Sequence, residues 1–421
     1  MSLTSPARTP RSGLVVSLLV AHAFALGFAE FVLIGITPDV AGALGEPFTR
    51  IGDLVGYYAL ACAVATPLVS LATARIDRLK LTAALLVVFN AGNLLTLFAN
   101  DYALLVVSRL MPAITSGTLL AVALTYVPDI VGKEKAPRVL GLLLAGFSVS
   151  SVVGVPIGTL LADAFGWKAA YGCVFALGLV VSIALLPALP RRTDAPTSPS
   201  VNPTTSTPTV RSQLRILTDS RVLVNTAMIL LGAAATYVFH TYLTPVLEGP
   251  LGLDGAAASA MLLLVGAACV GSNLLSGWIA ERFGLHALPL TFGLHAIALA
   301  LLAVTIPTGL PALANILVVA VLMYAMNSTV QMLYQTVART DYPAAVTFSA
   351  SLHPMSFNAG IALGSFAGGI VVNTEGLLAT GPVGALFALA AGGLALVLVR
   401  LVATRHAEER SGERAVKQDA A

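Results

Sequence analysis

The sequence predicts an all-α integral membrane protein, with twelve transmembrane helices in two pseudo-symmetric six-helix bundles. Three observations predict it. First, charged residues are 10% of the 421-residue chain and apolar residues 57%, with a mean hydropathy of +0.89. An ordinary soluble domain carries roughly 25% charge, and so few charges cannot cover the surface of a soluble protein this long. Second, apolar runs follow one another along the chain, each close to the roughly 20 residues that a helix needs to cross a bilayer. Third, landmarks of the first half recur in the second at a nearly constant offset.

In chain order the runs are 14–38, 53–74, 81–99, 102–127, 139–162, 169–190, 222–247, 256–280, 287–307, 311–336, 343–372 and 378–403. Arg8 and Arg11, followed by LVVSLLV and Ala21-His22-Ala23, imitate a secretory leader. The apolar run continues to Pro38, too long for a leader, so the first run reads as a retained span. Most joins are short. The exception is 191–220, whose first twenty residues hold nine Ser or Thr and four Pro; such a composition buries no core and reads as a flexible linker. The expected organisation is therefore a first bundle over 1–190, a linker over 191–220, a second bundle over 221–404 and a tail over 405–421.

Orientation follows from Lys and Arg in the loops. With the N-terminus in the cytoplasm, inside segments carry 20 of the 23 Lys and Arg, and outside loops only Arg50 and Lys168. Arg109 lies within a span. Both termini and the linker are expected to be cytoplasmic.

A shift of 207 residues aligns ITPDVAGALG (36–45) with LTPVLEGPLG (243–252) and Arg75 with Arg282; a shift of 214 aligns Gly146 with Gly360 and Gly154 with Gly368. Such agreement points to a duplicated unit. An even helix count makes the copies parallel, the arrangement of a two-bundle transporter with its site at mid-membrane. Cys62, Cys173 and Cys269 sit in apolar runs without CxxC spacing, so neither a disulfide framework nor a metal site is expected. No P-loop, HExxH, GxSxG or Gly-rich dinucleotide loop is present, so neither an enzyme nor an ATP-driven pump is expected, and no cofactor. A net charge of +3 without a basic stripe argues against nucleic acid.

The segment GWIAERFG (277–284) joins the eighth and ninth runs. It resembles the signature loop of the major facilitator superfamily, and the resemblance covers essentially the whole chain. The first-half counterpart, SLATARIDR (70–78), keeps Arg75 and Arg78 but has Ser70, Ala74 and Asp77 where the loop has Gly, acid and Gly. LVVSRLMPAITSG (105–117) is similar to the family's Arg-containing fourth helix. Gly146, Gly154, Pro156 and Gly158 resemble the Gly-Pro motif of its drug:proton antiporter branch, with Val155 between Gly154 and Pro156. GWKAAY (166–171), GFAEFVLIGITPDVA (27–41) and FNAGIALGSFAGG (357–369) complete a likeness to bacterial chloramphenicol-resistance, sugar-efflux and purine-nucleoside-efflux permeases. The resemblance implies the major facilitator fold, with helices 1, 4, 7 and 10 around a central cavity.

A charge within a span costs at least about 2.5–3.5 kcal/mol and is a functional candidate by default. Glu30 falls about 6 Å, and Arg109 about 7–8 Å, to the outer side of their helix centres at 1.5 Å per residue. Their shared depth leads to the expectation of an ion pair or water-bridged pair. Glu30 is then the candidate proton-coupling carboxylate, with Arg109 its stabilising partner or a packing element. His240, about 9 Å beyond its helix centre, is a second proton candidate or a packing residue, flanked by Tyr237 and Tyr242. On the tenth run Asn327, Gln331 and Tyr334 share one face; with Tyr324 they form a candidate cavity wall, or else hydrogen-bond between helices. Asn358 is a candidate ligand or backbone cap. Gly277, Glu281, Arg282 and Gly284, with Arg75 and Arg78, are the candidate conformational latch. Gly154, Gly158, Gly360, Gly364 and Gly368 have small-xxx-small spacing, which brings helices close.

The reading is a secondary transporter of the bacterial cytoplasmic membrane, a monomer whose partners are a small-molecule substrate, protons and lipid. Proton-coupled efflux is the first expectation. A sugar or nucleoside exporter or importer, and a non-transporting membrane sensor or scaffold, are the alternatives.

Overall fold

A computed structural model describes residues 10–73, 76–132, 135–190 and 210–419. Every regular element among them is helical: α1 (Pro10–Gly35), α2 (Thr37–Leu44), α3 (Phe48–Ala72), α4 (Arg78–Leu97), α5 (Tyr102–Val131), α6 (Ala136–Val149), α7 (Val155–Phe165), α8 (Trp167–Ala188), α9 (Val210–Leu214), α10 (Ser220–His240), α11 (Leu243–Glu248), α12 (Gly255–Phe283), α13 (Leu288–Thr305), α14 (Leu310–Met323), α15 (Asn327–Asp341), α16 (Val346–Glu375) and α17 (Thr380–Asp419). Eleven stretches of the described residues are long and apolar enough to cross a membrane. One of them, Gly255–Thr308, runs for 54 residues and contains both α12 and α13. The chain divides into two compact units, Met1–Val201 with Leu243–Gly266, and Asn202–Tyr242 with Ala267–Ala421.

In the first unit α1 is the central helix: 67% of its most apolar stretch is buried, and it packs against α5 to α8. Glycines make this close approach possible. A Cβ on Gly154 would fall 2.6 Å from Cδ2 of Phe28, and one on Gly158 would fall 2.5 Å from Cγ2 of Val32. A Cβ on Gly146 would fall 2.9 Å from the Val20 carbonyl oxygen. Between α6 and α7 the helix widens into one π turn, Ser150–Gly154, just ahead of Pro156. Pro156 has no N–H for the carbonyl of Val152, and a π turn is one way a helix absorbs such a gap.

The second unit repeats the scheme with α10 at its centre, again 67% buried over its most apolar stretch. It packs against α16 and α17. Gly360, Gly364 and Gly368 of α16 abut the carbonyls of Leu230, Ala234 and Val238. Part of the expected linker is ordered: α9 runs into a short 3-10 turn, Arg215–Thr218, because Ile216 enters the core beside Val222, Leu288 and Val337. Its first part, 191–209, lies outside the described residues. The expected tail continues the last helix to Asp419.

In hydrocarbon every backbone N–H and C=O must find a partner inside the protein, so helix ends and breaks are the costly points. Pro38 removes the N–H that would serve the Ile34 carbonyl. Three hydroxyls close the end of α1: Thr37 donates to the Leu33 carbonyl (2.7 Å), Thr159 to Gly35 (3.0 Å) and Thr244 to Ile34 (2.7 Å). The tenth run, expected as one helix, is broken at Tyr324–Met326 between α14 and α15. There the hydroxyls of Ser272 and Ser276 on α12 accept the N–H groups of Tyr324 (2.9 Å) and Ser328 (2.7 Å).

The glycine contacts set a test. Gly364→Ala forces a methyl against the Ala234 backbone, 2.6 Å from its carbonyl oxygen, and lowers stability by about 1–3 kcal/mol, the usual cost of overpacking. Gly271→Ala, on a helix face with nothing within 4 Å, leaves stability unchanged or slightly higher. Thermal unfolding of the two purified variants in detergent checks the difference.

Candidate functional site

Arg109 is the largest fully buried side chain among the described residues, 2% exposed on α5. It does not pair with Glu30: among the described residues no ion pair joins them. Its Nη2 donates instead to the backbone carbonyl of Ala29, the residue before Glu30. The guanidinium lies between two phenol rings, 4.8 Å from the ring centre of Tyr58 on α3 and 5.0 Å from that of Tyr171 on α8. Cation–π attraction of this kind is worth about 2 kcal/mol when desolvated. Tyr58 is itself held by a 2.8 Å hydrogen bond to the Ser116 hydroxyl. Nε and Nη1 of Arg109 have no partner. The arginine charge acts on Glu30, which is only partly covered. The expected neighbourhood of the two residues therefore forms through a backbone carbonyl rather than through the carboxylate, which keeps its oxygens out of an ion pair. A carboxyl beside a locked cation, in a region of few charges, can exchange a proton or meet a ligand group.

In the second unit the sequence candidates separate into two groups. Tyr237, Tyr324 and His240 belong to an aromatic chain. His240 ends α10 and stacks on Tyr237 at 5.4 Å. Phe357 of α16 meets Tyr237 edge-on at 6.2 Å, Tyr324 at 5.7 Å and His353 in a stack at 5.9 Å. Nδ1 of His240 and Nε2 of His353 are buried without partners. Phe357 and His353 were not among the sequence candidates; their i, i+4 spacing on one apolar run was the available signal. Asn327 and Asn358 each keep a buried amide oxygen unpartnered, while their nitrogens donate to Asn273 (3.3 Å) and to the Pro354 carbonyl (3.1 Å).

Tyr334 belongs to the core instead. It is 0% exposed, and its hydroxyl is bonded to Thr226 at 2.7 Å and Ser356 at 3.3 Å. The break ahead of Asn327 sets the facing of Asn327, Gln331 and Tyr334: Gln331 is half-buried and Tyr334 turned inward. The break itself lies where the candidates cluster. Non-helical backbone at membrane depth is tolerated only in protein or beside a water-filled cavity.

Of the latch candidates, Arg75 lies outside the described residues. Arg78 donates to Asp129 (2.6 Å) and to the Thr125 carbonyl (2.9 Å), and lies 3.8 Å from the Tyr126 ring centre. Asp77 is used locally, capping α4 through the N–H groups of Leu79 and Lys80. Gly277 faces open space rather than a neighbouring helix, and Glu281 and Arg282 are exposed with no ion pair among the described residues. Gly284 is required by its backbone, with φ of +54° at the end of α12. A site that sequence reasoning missed has the same form as Arg78 and Asp129. Arg221, at the start of α10, joins Asp219 (2.7 Å) and Asp341 at the end of α15. Partial burial opposes ionisation of Asp219, but the hydrogen bonds from Arg221 hold its carboxyl below the usual range.

The sequence profile of the Major Facilitator Superfamily matches residues 19–353. The MFS-type transporter YtbD of Bacillus subtilis (strain 168) is 31% identical over 373 residues, covering 89% of this chain and 92% of that one. A chloramphenicol resistance protein of Streptomyces lividans is 30% identical over 390 residues, covering 92% and 94%. Among solved structures, a bacterial homologue of the human lysosomal transporter Spinster superposes with a TM-score of 0.77 at 14% identity, covering 94% of this chain and 98% of that one.

The two arginine clamps differ in exposure, which gives a second test. Arg221→Ala leaves Asp219 and Asp341 without their cation and lowers stability by about 1.5–3 kcal/mol. Arg78→Ala, whose partner Asp129 is 53% exposed, costs under about 1 kcal/mol. Thermal unfolding of both variants at one pH decides it.

Proposed function

Because the chain belongs to the Major Facilitator Superfamily, we propose that it is a proton-coupled exporter of a small molecule. It works by alternating access between two six-helix bundles of twelve spans in all. It lies in the bacterial cytoplasmic membrane with both termini inside, and Glu30 is its proton-coupling carboxylate. The observation that carries the reading is the Arg109 guanidinium of α5, bonded to the carbonyl of Ala29, one residue before Glu30 on α1, and without a carboxylate of its own. Ionised, Glu30 is stabilised by the arginine charge; protonated, it is cheap to carry through a closed state. A proton and a substrate group then compete for one carboxylate, which couples efflux to proton entry. The aromatic chain around Phe357, with the partner-free oxygens of Asn327 and Asn358, supports a substrate with flat apolar surface and hydrogen-bond donors. The Streptomyces lividans chloramphenicol resistance protein supports a drug-like cargo.

Proteoliposomes containing a pH-sensitive dye test it. Under an imposed pH gradient, one class among lipophilic cations, phenicols, pentoses and nucleosides evokes proton flux through the wild type and none through Glu30→Gln. Flux that survives in Glu30→Gln removes Glu30 from the coupling role and makes His240→Gln the next variant. Substrate movement with no proton flux in the wild type removes proton coupling altogether.

A further inference from the structure

The repair of the break between α14 and α15 is one-sided. In an α-helix each carbonyl accepts from the N–H four residues on. Across Tyr324–Met326 those donors are diverted. The Tyr324 N–H goes to the Ser272 hydroxyl (2.9 Å) and the Ser328 N–H to that of Ser276 (2.7 Å). The Ala325 N–H closes a tight turn on Leu322 (3.3 Å), and the Asn327 N–H another on Tyr324 (3.0 Å). These donors are served. The carbonyls of Val321 and Met323, which α geometry would pair with Ala325 and Asn327, receive no backbone hydrogen bond among the described residues.

The side chains beside the break add oxygens rather than donors. Ser272 and Ser276 are fully buried and share one face of α12. The amide nitrogen of Asn327 donates to the side-chain oxygen of Asn273 (3.3 Å), and the amide nitrogen of Asn273 donates to the Cys269 carbonyl (3.3 Å). The Asn327 oxygen is left buried and without a partner. The Thr329 hydroxyl is buried without a partner too, but two residues on it points to the opposite side of α15. All of these residues belong to the second unit.

A buried water is held through its oxygen as well as its hydrogens, and the N–H groups of the turn and both amide nitrogens are already engaged. A cation needs oxygens alone. The C-terminal end of α14 adds partial negative charge at the break. No carboxylate joins the cluster among the described residues. The acids of α12 and α15 are Glu281, exposed near the end of α12, and Asp341, paired with Arg221; α14 has none. Calcium and magnesium are bound through carboxylates, whereas neutral carbonyl oxygens suit a singly charged ion.

We propose that the break between α14 and α15 binds an alkali-metal cation, sodium or potassium, through the carbonyls of Val321 and Met323 and the side-chain oxygen of Asn327. Ser272 and Ser276 are positioning residues: by taking the N–H groups they hold the turn open and the carbonyls free. The ion ties the end of α14 to the start of α15. It takes the Asn327 oxygen and leaves that of Asn358, with the aromatic chain, to a substrate. The site goes beyond the transport reading. Glu30 lies in the first unit, and occupancy of the break depends neither on proton coupling nor on the solute exported.

Equilibrium binding of radioactive sodium, and of radioactive rubidium in place of potassium, to the full-length protein in detergent tests it without transport. At constant ionic strength the wild type binds one or both ions saturably; the unlabelled ion displaces the label, and choline and calcium do not. Asn327→Ala weakens binding roughly ten-fold or more, the loss of one contact to a charge. Asn327→Asp, which keeps an oxygen there and adds charge, binds at least as tightly. Ser272→Ala with Ser276→Ala returns the N–H groups to the helix and abolishes binding. The same cation raises the unfolding temperature of the wild type and leaves that of the double serine variant unchanged. No saturable binding of either ion to the wild type, the result a buried water gives, overturns the proposal. Binding that is unchanged in Asn327→Ala, or displacement by choline as readily as by sodium, overturns it as well.

Discussion

A backbone that must satisfy its own polar groups governs this structure. In water a broken helix turn is repaired by solvent; in hydrocarbon it is repaired by the protein or not at all. At two departures from α geometry, hydroxyls do that repair. Thr37, Thr159 and Thr244 close α1, and Ser272 and Ser276 serve the gap between α14 and α15. These small polar residues sit in an apolar chain because helix breaks there require them. They also fix which helices stand beside each break, so local repair becomes tertiary specificity.

The same solvent explains how charge is handled. Arg109 could not remain buried as a bare cation, and its solution is aromatic: two phenol rings and one carbonyl, with no carboxylate spent on it. At helix ends two arginines do the opposite and take carboxylates, Arg78 with Asp129 and Arg221 with Asp219 and Asp341. The two halves thus carry similar clamps, each joining the beginning of one helix to the end of another. The glycine rows that face α1 and α10 complete the likeness.

Much of the fold was legible because span length and apolarity do not depend on what a helix packs against. Thus α1 falls within four residues of the first run at either end, and α10 with α11 together match the seventh run within two. The interruption at Tyr324–Met326 was not legible. Tyr-Ala-Met contains no glycine or proline, and the break depends on serines 52 residues earlier in the chain. Which of the two expected uses each residue serves was not legible either: Asn327, Gln331 and Tyr334 share one helix, and Tyr334 hydrogen-bonds to Thr226 and Ser356, but periodicity names a face without saying what lies opposite it. Ile216 and Leu217 were hidden in a Ser- and Pro-rich neighbourhood whose average masked a local anchor. At the candidate site, Glu30 and Arg109 stood out as charges in apolar runs. Their actual link could not, because it runs through the main chain of Ala29, and a carbonyl leaves no mark in a sequence.

The confinement of Arg109 has an electrical consequence. On the proposed reading the carboxyl of Glu30 takes up and gives back a proton near a guanidinium that has no carboxylate of its own. The pair is neutral when Glu30 is ionised and carries a full positive charge when it is protonated. The membrane potential, worth about 2.3 kcal/mol per elementary charge per 100 mV, therefore does work only on the protonated form when that region moves across the field. On that reading an interior-negative potential draws the protonated site inward and leaves the ionised one alone, so a cation beside a proton-exchanging acid makes the transport cycle sensitive to voltage.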